Sequence, residues 1–208
     1  TIPVTVTLVD VQIPSIGAGA DRSIIESGSV TPSGSFAAVV GQSLTYDYQW
    51  NFGDGTIYGP VAATPGVPQT APAHTYADNG QFSVSFTVRA FASGGVLATL
   101  GTDAFVVTVN NVAPVVGAAP NQTTLEGSVI SLGAANFSDV GVQDTHTASI
   151  NWGDGVVEAA FLNQPGKLLG GSHAYAENGN YTVTVTVIDD DGGVGEGSFE
   201  VSVGNVAP

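Results

Sequence analysis

The chain has no cysteine among its 208 residues, which excludes disulfides, thiolate metal sites and thiol nucleophiles. Basic residues are nearly as scarce: three Lys and Arg stand against 18 Asp and Glu, for a formal charge of −15. Such a surface repels nucleic-acid backbones and anionic membranes and attracts cations, so no nucleic-acid partner is expected. No apolar run approaches the roughly 20 residues that cross a bilayer, and no secretory leader is visible, so no membrane span is expected in this stretch. Apolar stripes at helical spacing are absent. Sequence signatures of serine hydrolases, zinc proteases, phosphate-binding loops and paired catalytic carboxylates are absent as well, and nothing argues for an enzyme.

What is present is enough to build packed cores, since 43% of the residues are hydrophobic. The acids are unevenly spread. Residues 1–111 carry 7 acids and 2 bases, whereas residues 112–208 carry 11 acids and one base, Lys167. Divalent metal is therefore the natural small partner, and the second half its natural place. Abundant Thr, Ser, Gly, Ala and Val, few lysines and no methionine fit an exported prokaryotic protein. Beginning at Thr1, the chain reads as a mature or excised piece of something longer.

The halves repeat each other. "SIIESGSV" from Ser23 matches "TTLEGSV" from Thr123, "QWNFGDG" matches "INWGDG", and "HTYADNGQFSVSFTV" from His74 matches "HAYAENGNYTVTVTV" from His173. "NVAP" follows each long strand pair. Asn51 and Asn151 stand 100 residues apart, a period that means tandem domains and not a solenoid of small units. The expected domains are residues 1–111 and 112–208.

Within each unit the apolar period is two, the mark of strands with one buried face. Phe82, Val84, Phe86 and Val88 share a face, as do Tyr181, Val183, Val185 and Val187. Phe105, Val107 and Val109 correspond to Phe199, Val201 and Val203. Tyr46, Tyr48 and Trp50 lead into the first motif and Ala148, Ile150 and Trp152 into the second. Many short strands with Gly, Asn and Pro turns predict an all-β chain of two tandem immunoglobulin-like antiparallel β-sandwich domains. The alternating residues 1–11 read as an extra strand of the first domain, or as the last strand of a preceding one.

The repeated "GDG" is open to several readings: turn, catalytic acid or metal ligand. Glycines at 53, 55, 153 and 155 supply backbone angles that side chains resist, and an aspartate between them caps its own turn. Asp54 and Asp154 are accordingly read as turn residues, and Trp50 and Trp152 as core. His74 and His173 invite a zinc reading, but each unit offers one matched His and no Cys, short of the three or four ligands zinc takes. They are read as structural. Tyr76 and Tyr175 look like corner tyrosines that bond backbone ahead of the long strand.

"WNFGDG" with "HTYADNGQFSV", and "NWGDG" with "HAYAENGNYTV", resemble the signature of the polycystic-kidney-disease-type (PKD) domain. The resemblance covers all but about the first 15 residues. It implies an immunoglobulin-like sandwich, a non-catalytic role and, in some members, calcium bound near the interdomain linker.

The halves differ in their acids. The second reads "VIDDDGG" from Val187 where the first reads "VRAFASGG" from Val88, and it carries Asp139 where the first has Ala38. Calcium takes six to eight oxygens from loops. The resemblance carries its ligand positions onto Asp139, Asp189 and Asp191, with Asp144, Glu126 and Asn111 as further candidates, in the second domain only. Asp190 has the opposite strand parity and is expected to face solvent. A merely solvated acidic hairpin is the alternative.

The leading functional expectation is a non-catalytic spacer or stalk module of a larger extracellular or cell-surface protein, an adhesin or filament, with Ca2+ stiffening its second domain. Its partners would be neighbouring repeats, other surface proteins or glycans, and residues 1–11 the donor in any strand exchange. The alternative is a carbohydrate- or protein-binding accessory module of a secreted hydrolase, with Tyr58, Phe91 and Phe161 as scattered aromatic candidates.

Overall fold

The computed structural model describes residues 12–133, 135–163 and 168–207. Residues 1–11, read above as an extra or donor strand, and Lys167 lie outside them. No helix occurs among the described residues. The chain divides into two compact units, Thr1–Asn110 and Asn111–Pro208.

Unit 1 contains β1 (Ile16–Gly17), β2 (Arg22–Ile25), β3 (Ser29–Val30), β4 (Ser33–Phe36), β5 (Thr45–Asn51), β6 (Ile57–Ala63), β7 (Gln69–Thr70), β8 (His74–Thr75), β9 (Gly80–Ala92) and β10 (Val96–Asn110). Its larger sheet runs β2-β10-β9-β5-β6 and faces the three-stranded β1-β4-β7. Unit 2 contains β11 (Val115–Gly117), β12 (Gln122–Leu125), β13 (Val129–Ser131), β14 (Asn136–Ser138), β15 (His146–Asn151), β16 (Val157–Ala159), β17 (Phe161–Asn163), β18 (Leu168–Gly170), β19 (Ser172–Ala174), β20 (Gly179–Asp189) and β21 (Val194–Gly204). Here the larger sheet runs β12-β21-β20-β15-β16 and faces β11-β14-β18-β17.

In each unit a short early strand pairs in parallel with the last one, Arg22–Ile25 with Val107–Asn110 and Gln122–Leu125 with Val201–Gly204. All other pairings among the described residues are antiparallel. These are two immunoglobulin-like sandwiches. Their cores come from the period-two faces: Val84, Phe86 and Val88 with Phe105, Val107 and Val109 in unit 1, and Val183, Val185 and Val187 with Phe199, Val201 and Val203 in unit 2.

Both tryptophans are fully buried, but they are not structural equivalents. Trp50 pairs across the sheet with Phe86 and stacks on it at 4.7 Å. The residue at that register in unit 2 is Ile150, opposite Val185. Trp152 falls instead where unit 1 has Phe52, and it stacks on His173 at 5.1 Å as Phe52 stacks on His74 at 4.1 Å. Two residues of strand register separate the bulkiest side chain of each core.

The start of unit 2 lies close over its last strand. A Cβ at Gly195 would collide with the Pro114 carbonyl, and one at Gly193 would lie 2.9 Å from Ala113 Cα. Only glycine lets the segment from Asn111 approach so closely, and that approach carries Asn111 to the turn between β20 and β21.

Candidate cation centre in unit 2

The motif that first suggested chemistry is spent on folding in both units. Asp54 Oδ1 accepts the Thr56 N–H at 2.9 Å, and Asp54 Oδ2 lies 2.6 Å from His74 Nε2. Asp154 does the same with Val156 N–H at 3.1 Å and His173 Nε2 at 2.7 Å. Burial pushes each carboxyl up, but the turn N–H and the histidine outweigh it and hold both below the ordinary value. Tyr76 and Tyr175 donate at 2.9 Å to the carbonyls of Phe52 and Trp152, just ahead of the turn. Burial, with the nearby Asp54 or Asp154 charge, pushes both phenols up to about 12.

Gly53 and Gly153 have φ of +86° and +84°. A Cβ there would stand 2.8 Å from the Ser83 carbonyl oxygen or 2.6 Å from that of Thr182. The turn is pressed against the long strand, so glycine is required twice over, by conformation and by space.

The other candidates gather at the opposite end of the β15–β20 pair in unit 2. Asp139 Oδ1 accepts the Gly141 N–H at 3.1 Å, and Asp139 Oδ2 lies 2.8 Å from His146 Nε2. The two side chains of that pair are 0% and 1% exposed. Asp189 is buried, and its Oδ1 accepts the N–H groups of Asp191 at 3.1 Å and Gly193 at 2.6 Å. Its Oδ2 accepts the Asn111 side-chain amide at 3.0 Å. Asp189 therefore shapes the turn as well as charging it.

Asp144 differs from its neighbours. Neither carboxylate oxygen meets a hydrogen-bond donor or solvent, and the same holds for Asn111 Oδ1. Burial raises the Asp144 pKa, and the charges of Asp139, Asp190, Asp189 and Asp191 raise it further. A buried acceptor without a donor is costly, and a cation would relieve both the missing partner and the crowded charge. Within unit 2, two groups of described residues have ligand atoms within 4.8 Å of one another: Asp144 with Asp190 and Asp191, and Asp139 with Asp144 and His146.

Asp190 and Asp191 are exposed. The Thr145 N–H, 3.0 Å from Asp190 Oδ1, holds the Asp190 carboxyl below its usual range. Glu126 is not brought into the cluster. It follows β12, and its Oε1 accepts the Val206 N–H at 2.9 Å, beside the end of the last strand. The aromatic candidates are separate too: Tyr58 lies on β6, Phe91 on β9 beneath the Arg89 guanidinium at 5.6 Å, and Phe161 on β17 of the other unit.

His146 is the candidate ligand that sequence reasoning missed. It continues the inward parity of Ala148 and Ile150, and a histidine on a buried face needs a polar partner. That signal was available; the identity of the partner, seven residues back in a loop, was not.

A family model described as "PKD domain" matches residues 11–107 and again 111–203. Among curated proteins no sequence matches the chain. Of solved structures, Drosophila N-cadherin EC1-3 is similar at 9% identity and a TM-score of 0.37, over 90% of this chain and 64% of that one. Mouse cadherin-23 EC22-24 aligns at 14% identity and a TM-score of 0.36, over 93% and 65%. The PKD domain of human KIAA0319 is 20% identical over 47% of this chain and 87% of its own, with a TM-score of 0.32. The chain thus spans less than two thirds of either cadherin fragment.

Proposed function

Because the chain belongs to the PKD-domain family, we propose that it serves as a non-catalytic spacer and interaction module of a larger extracellular or cell-surface protein, with a calcium site in its second domain only. Its partners are neighbouring repeats, or proteins and glycans of the same surface. The structural part of this reading is supported by the motif itself. In both units the aspartate, histidine and tyrosine of the motif hold a turn against the long strand.

One observation carries the calcium part: Asp144, without a donor, stands among four other carboxylates, while Leu44 and Ala38 occupy the matching region of unit 1. An irregular set of oxygens from Asp144, Asp190, Asp191 and Asn111 suits the large, flexible coordination shell of calcium better than the rigid octahedron of magnesium. Calorimetric titration of the metal-stripped full chain with Ca2+ tests it. Saturable uptake that weakens at least tenfold in Asp144→Asn is the expected result; no uptake by the parent chain removes the calcium. Negative-stain images of the native assembly test the stalk, and compact isolated particles would count against it.

A further inference from the structure

The second group in the cluster is not all oxygen. Asp139, Asp144 and His146 bring one imidazole and two carboxylates within 4.8 Å of one another. The Asp139 and His146 side chains are 0% and 1% exposed, and both Asp144 oxygens are inaccessible and without a donor. Calcium and magnesium are hard ions that select oxygen, whereas imidazole suits zinc, copper, iron and nickel. We propose that Asp139, Asp144 and His146 form a site for a d-block dication of the zinc or cobalt type, distinct from the all-oxygen group of Asp144, Asp190 and Asp191. The inference rests on the cation reading above only in sharing Asp144, and its chemistry is separable from it.

Three features of the geometry favour a built site over a chance cluster. The loop is fixed, because Gly141 N–H holds Asp139 Oδ1 at 3.1 Å and a Cβ on Gly141 would collide with the Asp144 carboxylate. The His146 ring is fixed as well, packed against Phe137 at 4.7 Å between centroids on a strand paired to Asp189. The donor set is also the right size: three protein ligands leave a fourth position for a water, as in open zinc sites. Bond lengths of about 2.0–2.2 Å to nitrogen and oxygen ask for small movements of ligand atoms already this close, chiefly the opening of the contact between His146 and Asp139.

The test uses the metal-stripped full chain. Co2+ is titrated and followed by its visible absorption, and Zn2+ and Ca2+ are titrated by calorimetry. Three variants are compared: His146→Gln, Asp190→Asn and, as a control for the other histidine–aspartate pairs, His173→Gln. One Co2+ or Zn2+ is expected to bind the parent chain, at least tenfold more weakly in His146→Gln and unchanged in His173→Gln. Asp190→Asn should weaken Ca2+ and spare Co2+. No uptake of Co2+ or Zn2+ by the parent chain, equal uptake by His146→Gln, or loss in His173→Gln instead would each overturn the proposal. Should His146→Gln fail to fold by circular dichroism, Asp144→Asn keeps the His146–Asp139 pair intact and must lose both classes of ion; retained Co2+ binding there is equally fatal. Cobalt bound without calcium sinks the calcium reading and leaves this one standing, and calcium without cobalt does the reverse.

Discussion

At one end of the long strands the two sandwiches solve the same packing problem with opposite chemistry. In unit 1, Tyr46 lies opposite Ala90 and Thr45 opposite Phe91; in unit 2, His146 lies opposite Asp189 and Thr145 donates to Asp190. Both inward rings rest on a phenylalanine of the facing sheet, Tyr46 on Phe36 at 5.2 Å and His146 on Phe137 at 4.7 Å. Unit 1 then closes locally: Val39 N–H donates to the Tyr46 hydroxyl, and one strand position on, Arg89 and Asp47 form a two-bonded ion pair. Unit 2 has Thr147 and Ile188 at that pair of positions, and the carboxylates of Asp139, Asp144, Asp189, Asp190 and Asp191 crowd nearby. The core specifies the sandwich and leaves the loop ends free to be neutral or charged, so function is to be sought where the units diverge and not where they agree.

The sharpest test of the shared part is the glycine pressed against the long strand. Gly53→Ala and Gly153→Ala each force a side chain into a positive-φ position and against the Ser83 or Thr182 carbonyl. Backbone strain and overpacking together are expected to cost about 2–5 kcal/mol in either unit. Gly55→Ala and Gly155→Ala, whose Cβ would meet nothing within 4 Å, should cost only the backbone part, about 1–3 kcal/mol. Denaturant unfolding followed by tryptophan fluorescence separates the units, because each holds one tryptophan. A large loss in one unit with none in the other would break the equivalence on which the comparison stands.

How much of this was legible depended on how local the cause is. Strand faces follow from a period of two, and Val84, Phe86 and Val88 are buried as that period requires. Turn roles for Asp54 and Asp154 follow from flanking glycines, because the bonded N–H lies two residues away. Legibility stops where contacts are non-local. The 100-residue offset of Asn51 and Asn151 already sets Phe52 against Trp152, but does not show that Trp152 stacks on His173. Parity assigned Asp189 to the interior, but not its service to the Asp191 and Gly193 amides. Glu126 and Asp139 are both loop acids in sequence; only the sheet topology sends one to the last strand and the other to His146.

Calcium gives the next largest expected difference between units. At a concentration one hundred times the dissociation constant, a ligand bound only by the folded form stabilises it by about 2.7 kcal/mol. That shift should appear in the unfolding of unit 2, reported by Trp152 in a Trp50→Phe background, and not in unit 1, reported by Trp50 in Trp152→Phe. Asp144→Leu, which gives unit 2 the residue of unit 1, should abolish the response. Equal calcium shifts in both units would show that the acids of unit 2 are not what distinguishes it.

Acid unfolding offers a smaller contrast, with its sign set by the direction of each shift. Asp54 and Asp154 have folded-state pKa values below the unfolded 3.8, so each contributes stability at neutral pH that is lost as pH falls through that lowered value. The two units should weaken alike there. Asp144 is shifted the other way. Its contribution is fully present only below the unfolded value and disappears as pH rises through the raised folded value, so in chelator it favours unit 2 as the pH falls through that value. Unit 1 has Leu44 at the matching place. In metal-free buffer, lowering the pH through that raised value should therefore raise the stability of unit 2 relative to unit 1. Asp144→Asn should flatten that difference and leave the steeper loss below pH 4 untouched. If the difference persists in Asp144→Asn, the crowded charge resides on another member of the cluster and the loop comparison must be redrawn around it.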